Sequence, residues 1–189
     1  MKNLFILLFV LFASVHVAAQ DHLSFKGIPI AGTMTDFCQK LKAKGFTSMG
    51  QENNISLFVG DFTGREATVG VVASDDGKSV FSVIVFFEQS GEWKSLTGTY
   101  SYYKNLYTRK YGEPDFCKEH NPAYSDNNTA LMAEVHQGTV VYGSTWKVPG
   151  GDIQISIEKA SGVYQGMVMI RYRDSQNVEA KIQNDLEEI

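Results

Sequence analysis

The sequence predicts an α+β protein in which two tandem helix-then-antiparallel-strands units form one sheet, with the helices packed on one face. Three observations lead to this prediction. Two segments show helical spacing of apolar residues, and each of them ends at a glycine. A set of strand-like segments follows each helix, and turns separate the strands within each set. We therefore place a first unit at 20–90 and a second unit at 91–189, after an N-terminal leader at 1–19.

The first predicted helix begins near Thr33. Its apolar residues recur at helical spacing: Met34, Phe37, Cys38 and Leu41. Either Thr33 or Thr35 can cap the start of this helix, because threonine hydroxyls accept hydrogen bonds from helix N-termini. Gly45 is expected to end it, since glycine readily adopts the left-handed conformation found after a helix.

The second predicted helix is longer and ends at Gly112, shortly before Pro114. One of its faces carries large, mostly aromatic residues: Trp93, Leu96, Tyr100, Tyr103, Tyr107 and Tyr111. Such a stripe is more often core between a helix and a sheet than a platform for a ligand. Tyr102 projects from nearly the opposite side, so we expect it to be exposed, either as an isolated surface residue or as part of a binding site.

Segments rich in β-branched and aromatic residues follow each helix. The first set comprises Ile55–Phe62, 66–73 and 80–88, and the second comprises 139–147, 152–158 and 166–173. Both alternating sides of 80–88 are apolar, which predicts a central strand that is covered on both faces. Residues 131–135 can add one strand to the second unit. A short C-terminal helix is expected after a possible cap at Ser175.

The two units are not evenly spaced along the chain. Matching strand positions, such as Gly60 and Gly143, lie farther apart in the sequence than the two helix-ending glycines, Gly45 and Gly112. This difference predicts an insertion between the second helix and its strands. We place the insertion, as a polar loop, at 113–130.

The 113–130 segment contains proline, serine, aspartate and asparagine, which favour turns and loops. It can be a solvated loop or a recognition loop anchored by Phe116 and Tyr124, since aromatic side chains supply large contact areas. The candidate ligand-binding residues are therefore Phe116, His120 and Tyr124 in this loop, together with Tyr102 on the second helix. The spacing of acidic residues and His120 matches no metal motif, and we expect no metal.

The N-terminal segment has the features of a secretory signal peptide. Lys2 supplies a positive charge, an apolar run follows, and small residues at 17–19 suit a signal peptidase. The mature protein would then be secreted or periplasmic. No later apolar stretch approaches the roughly 20 residues of a membrane helix, so we expect no membrane anchor.

Cys38 and Cys117 are the two cysteines of the chain, and both lie in the predicted mature part. An oxidising compartment favours a disulfide between them, whereas two buried free thiols are the alternative. We expect the disulfide, which would hold the 113–130 loop near the first helix.

The composition excludes several classes of function. With a net charge of -4, the chain has no basic surface that could displace counterions from phosphates, so we expect no nucleic acid partner. It also has no Gly-x-Ser-x-Gly elbow, no His-Glu-x-x-His zinc motif and no Cys-x-x-Cys pair. We therefore expect a protein that is not an enzyme and that uses no cofactor.

Short segments spread over most of the mature chain carry a family resemblance. They read GTMTDF at 32–37, KGF at 44–46, VGDFTG at 59–64 and KYGEP at 110–114. In this order they resemble the β-lactamase-inhibitor-protein-like architecture and related secreted proteins of Bacteroides-type bacteria. The resemblance implies a tandem helix-and-strand layout. Inhibitors of that family carry a disulfide in each repeat, whereas each unit here has one cysteine, so no inhibitory residue is transferred.

These features favour a non-enzymatic binding module that recognises a protein or another macromolecule through the sheet face or the 113–130 loop. A carrier whose curved sheet encloses a small apolar ligand is the alternative. An enzyme of unrecognised type is a third class.

The leader generates the first testable prediction. Signal peptidase should cleave the chain after Ala19, so that the mature protein begins at Gln20. Intact-mass measurement of the exported protein, with N-terminal sequencing, checks this. An exported product that still carries Met1 would contradict it.

Overall fold

The computed structural model describes residues 22–120 and 127–189, so the predicted leader lies outside the described residues. The helices are α1 (Met34–Ala43), α2 (Trp93–Tyr111), α3 (Asn128–Gln137) and α4 (Ser175–Glu187). The strands are β1 (Ser24–Phe25), β2 (Ile28–Pro29), β3 (Thr47–Glu52), β4 (Ile55–Phe62), β5 (Arg65–Ala73), β6 (Val80–Phe86), β7 (Phe116–His120), β8 (Val141–Val148), β9 (Gly151–Lys159) and β10 (Gly166–Asp174). None of these helices is both long enough and apolar enough to span a membrane.

Eight strands form one antiparallel sheet in the order β3-β4-β5-β6-β10-β9-β8-β7, while β1 and β2 form a separate hairpin. The predicted α+β class with a large antiparallel sheet is therefore confirmed. Strand β6 lies at the centre of the sheet, between β5 and β10, as its two apolar sides predict. Strands β3 and β7 are the edges.

Local signals set the ends of the first two helices where the sequence predicts them. The Thr33 side chain accepts a hydrogen bond from the Asp36 amide at 3.1 Å, which caps α1. Gly45 and Gly112 follow α1 and α2 with φ of +91° and +88°, backbone conformations that favour glycine. Phe46 then packs back over Gly60, where a Cβ atom would lie 2.5 Å from the Phe46 ring.

The structure corrects the prediction for 131–135. These residues belong to helix α3 and do not form a strand. The Asn127 side chain accepts hydrogen bonds from two amides in the first turn, and Gly138 ends the helix with φ of +73°. Leu131, Met132 and Val135 are buried and lie on one face of the helix, at i, i+1 and i+4. In the sequence, five residues are too few for periodicity to distinguish a buried strand from a helix.

The 113–130 segment is also not a single loop. It contains strand β7, which pairs with β8 at the edge of the sheet, and the first residues of α3. All five residues of β7 are exposed, and so are all six residues of β3, a strand that the sequence does not predict. Backbone hydrogen bonds to one neighbouring strand hold each of these edge strands in the sheet. Their side chains are not buried, so their sequences lack the apolar alternation that marks buried strands.

Alternate residues of the sheet face α1, α2 and α3, and we call this side the helix-covered face. Its buried side chains include Phe58, Val69, Val71, Val83, Val85, Trp146, Ile153, Ile155, Val168, Ile170 and Tyr172. Helix α2 adds Leu96, Tyr100, Tyr103 and Tyr107 to the same core, so its aromatic stripe is core, as predicted. We call the opposite side of the sheet the open face.

The predicted disulfide is wrong, because Cys38 and Cys117 are both free. Cys38 lies on α1 beside Ser56 of β4, whereas Cys117 lies on β7. Strands β4 and β7 are six positions apart in the sheet, or about 29 Å at the usual strand spacing. A disulfide needs Cα atoms within about 7 Å of each other.

Asp174 joins the N-terminal segment, β10 and α4. Its side chain is fully buried and accepts hydrogen bonds from the backbone amides of Leu23 at 2.9 Å and Asn177 at 3.0 Å. His22 Nδ1 lies 3.0 Å from the same carboxylate. Asp174 therefore caps α4, in place of the predicted Ser175.

The buried position of Asp174 generates a prediction about stability. An Asp174→Ala substitution should lower the free energy of unfolding by about 3 kcal/mol, because it leaves one buried and one half-buried amide without an acceptor. Asp152→Ala is the control, since Asp152 forms an ion pair with Arg173 that is partly open to solvent. Such pairs contribute about 1 kcal/mol or less. Urea unfolding of both variants checks this, and equal losses would contradict it.

Candidate functional site

The open face carries an apolar patch over strands β4, β5, β6 and β10. The members of this patch alternate with core residues along their strands: Ile55, Leu57, Val59, Val72, Ile84, Phe86, Met167 and Met169. Ile55 and Leu57 are 39% and 37% exposed, and the other members are half-buried. Strand β6 is thus apolar on both sides, as predicted, but its side chains on the open face keep contact with solvent.

Gly70 allows the side chains of the apolar patch to converge. A Cβ atom at Gly70 would lie 3.2 Å from the Phe86 ring, 3.6 Å from Leu57 and 3.8 Å from Ile55. These side chains therefore meet above a position of β5 that has no side chain. Beside them lies a groove of about 680 Å³. Its lining combines patch residues with two carboxylates: Leu57, Val59, Phe86, Met167, Glu66 and Glu88.

Arg171 is the positive charge at the centre of the open face. It is half-buried on β10, with Ile84 and Gln154 as its direct neighbours on β6 and β9. Within the described part of the chain, its guanidinium forms no hydrogen bond or ion pair. Arg173, two residues later, instead binds Asp152 through two bonds of 3.0 and 3.1 Å. The Arg171 guanidinium is therefore available to a carboxylate from outside the chain.

The candidate residues predicted from the sequence do not come together in one site. Phe116 is 58% exposed on β7, with its side chain on the open face, and His120 lies on the same side of that strand. Tyr102 lies on α2, across the sheet from them, is 43% exposed as predicted, and has Arg65 5.2 Å from its ring centroid. Tyr124 lies outside the described residues.

Sequence reasoning missed the apolar patch although the signal was present. The sequence predicts that both sides of 80–88 are covered, because both carry apolar side chains. A sequence does not show, however, whether an apolar side of a strand is covered by other elements or exposed to solvent. The alternating Ile55, Leu57 and Val59 carried the same signal on β4. Arg171 had no such signal, because only the packed sheet places it beside this patch.

A polar cluster lies on the helix-covered face, where α2 meets β7. Lys104 Nζ is 2.5 Å from Glu119 Oε1 and 3.2 Å from Cys117 Sγ. Ser144 donates to the same sulfur at 3.4 Å and shares a 2.7 Å hydrogen bond with the buried Tyr100 hydroxyl. Partial burial acts against both charges of the ion pair, but the mutual hydrogen bond lowers the pKa of Glu119 and raises the pKa of Lys104.

The cluster exposes one thiol beside an ammonium group and contains no complete set of metal ligands. No group of three or more His, Cys, Asp or Glu side chains could hold a metal ion in residues 22–120 and 127–189. Comparisons of the chain with models of protein families, with curated proteins and with solved structures found no match. The interpretation of function therefore depends on the chemistry of the described surfaces.

The two cysteines should differ in reactivity. Burial raises the pKa of the Cys38 thiol, so less of it is thiolate at pH 8, whereas Cys117 is exposed beside Lys104. We expect Cys117 to react with Ellman's reagent about tenfold faster than Cys38 in the native protein, and both to react after denaturation. Single Cys38→Ser and Cys117→Ser variants assign the two phases. A faster Cys38, or fewer than two thiols in denatured, unreduced protein, would contradict this.

Proposed function

We propose that this protein is a secreted or periplasmic binding module, not an enzyme, that recognises another protein through the open face. The observation that carries this proposal is the apolar patch beside Arg171, whose guanidinium has no partner among the described residues. Contiguous exposed apolar surface with a polar rim is typical of protein interaction sites. The signal-like N-terminus supports the location, and the absence of catalytic motifs from the sequence supports a binding role.

The chemistry of the open face indicates what the partner presents. Met167 and Met169 are flexible and adapt to apolar side chains of varied shape. Arg171 favours a carboxylate from the partner, since arginine binds carboxylates through paired hydrogen bonds. Glu66 and Glu88 on the groove are unfavourable for further negative charge, which argues against nucleic acid. The partner we propose is a protein surface with apolar side chains around one aspartate or glutamate.

We also propose the tandem organisation that the resemblance to the β-lactamase-inhibitor-protein-like architecture implies. Equivalent connections lie the same number of residues apart along the chain. The β4-β5 connection at 63–64 corresponds to the β8-β9 connection at 149–150. The β5-β6 connection, which starts at 74, corresponds at the same spacing to the β9-β10 connection, which starts at 160. Val85 of β6 pairs with Ile170 of β10, and these two positions are separated by almost the same length of chain. A two-fold axis through the β6-β10 pair, which would relate β3-β4-β5-β6 to β7-β8-β9-β10, accounts for all three spacings.

Substitutions on the open face test the proposed function. The mature chain, immobilised, should capture a protein from the native envelope or culture fluid, and Leu57→Glu or Arg171→Glu should weaken that capture about tenfold. A buried apolar contact and a charge-assisted pair are each worth at least that factor. Quantitative mass spectrometry of the eluates, followed by calorimetry with the purified partner, measures the effect.

Two matched variants control for charge and for folding. Val163→Glu changes an apolar residue that is 71% exposed on the β9-β10 connection, and Arg109→Glu reverses a charge on α2. Both should retain the partner. Capture that is equal for all five proteins would refute the proposal. Light scattering that shows a dimer of the wild-type chain, broken by Leu57→Glu, would instead assign the open face to a second copy.

A further inference from the structure

A cleft on the helix-covered side of the molecule is separate from the open face. It lies between the N-terminal hairpin at 22–29, the second half of α2 and the β8-β9 connection, and its volume is about 600 Å³. This volume falls within the range of small-molecule sites. Five of its lining residues are phenylalanine or tyrosine: Phe62, Tyr103, Tyr107, Tyr111 and Tyr172.

Ring contacts hold the hairpin that forms one wall of the cleft. The Phe25 ring stacks on Phe62 with centroids 5.8 Å apart and meets Tyr172 edge-on at 5.3 Å. Lys26 Nζ donates to the Asp61 carbonyl at 2.8 Å. The cleft is therefore formed before any ligand arrives, which lowers the entropic cost of binding.

Two tyrosine hydroxyls in the cleft leave one proton donor unused. Tyr107 and Tyr172 are 9% and 7% exposed, and their hydroxyls hydrogen-bond to each other. A pair of hydroxyls has two protons, and their mutual bond uses one. No described residue outside this pair accepts the second. Burial raises the pKa of both phenols, so both keep their protons at neutral pH and one can donate to a ligand.

The charge of the cleft is opposite to that of the chain. Its described lining residues include Lys26 and Lys110 but no carboxylate, although the whole protein has a net charge of -4. Lys110 Nζ lies 4.8 Å from the centroid of the Tyr111 ring, at the aromatic wall. Lys110, the Tyr107–Tyr172 pair and the aromatic walls therefore line the same cleft.

We propose that this cleft binds a small aromatic carboxylate. The aromatic body lies against the tyrosine rings, and the carboxylate accepts hydrogen bonds from Lys110 and from the Tyr107–Tyr172 pair. This inference is independent of the open face, and it differs from a pocket enclosed by a curved sheet because the hairpin and α2 form its walls.

Calorimetry with 2-naphthoate and the mature chain tests the proposal, with the neutral 2-naphthamide as the matched ligand. We expect 2-naphthoate to bind and to raise the melting temperature, since a ligand of the native state stabilises it. The amide and the Lys110→Gln variant should each weaken binding about tenfold, because each removes one charge of the pair. Tyr107→Phe should weaken it severalfold. Lys94→Gln is the control, because it removes the same charge about 24 Å away on α2.

Each result decides the proposal. Tight binding that Lys110→Gln reduces and Lys94→Gln does not supports it. Absence of 2-naphthoate binding, or equal affinity for the neutral amide, refutes it. Binding that Leu57→Glu or Arg171→Gln abolishes, while Lys110→Gln leaves it unchanged, also refutes it, since the ligand would then occupy the open face.

Discussion

The antiparallel pairing of β6 with β10 is the interaction on which the rest of the structure depends, because it joins two four-stranded halves into one sheet. Val85 pairs with Ile170 and Ile84 pairs with Arg171. Ser82 strengthens the junction by donating to the Tyr172 carbonyl at 2.9 Å. Since side chains alternate along a strand, a shift of one residue here would exchange the two faces of a half. The register therefore decides which residues are core and which are surface.

That register also separates the two proposed binding surfaces. On one side, Val85 and Ile170 are buried under the helices, and the aromatic residues of α2 continue into the cleft below the N-terminal hairpin. On the other side, Ile84 and Arg171 belong to the open face. The two surfaces differ in chemistry as well as in position. We propose a protein with an exposed carboxylate for the open face and a small anion for the cleft, so substitutions on one should leave the other intact.

The errors of the sequence analysis share a physical cause. Strand β7 is exposed throughout and its two apolar residues are adjacent, so no periodicity marks it, and its place in the sheet results from backbone hydrogen bonds to β8. The apolar segment at 131–135 is too short for periodicity to distinguish a strand from a helix. The Cys38–Cys117 disulfide was predicted from the oxidising compartment and the number of cysteines, and neither gives the distance between the two residues in the folded chain. Tyr102 is exposed as expected, and Phe116 is exposed too, yet the sheet separates them.

The sequence by itself determined the elements whose signals are local: the threonine cap of α1, narrowed to Thr33 or Thr35, the glycines after α1 and α2, the aromatic stripe of α2 and the apolar strands of each set. These depend on side-chain period and on backbone preferences within a few residues. Only the tertiary structure decided the strand order, the edge position of β7, the distance between the cysteines and the placement of Arg171 beside an apolar patch. Each of these depends on contacts between residues far apart in the chain, which composition and periodicity do not specify.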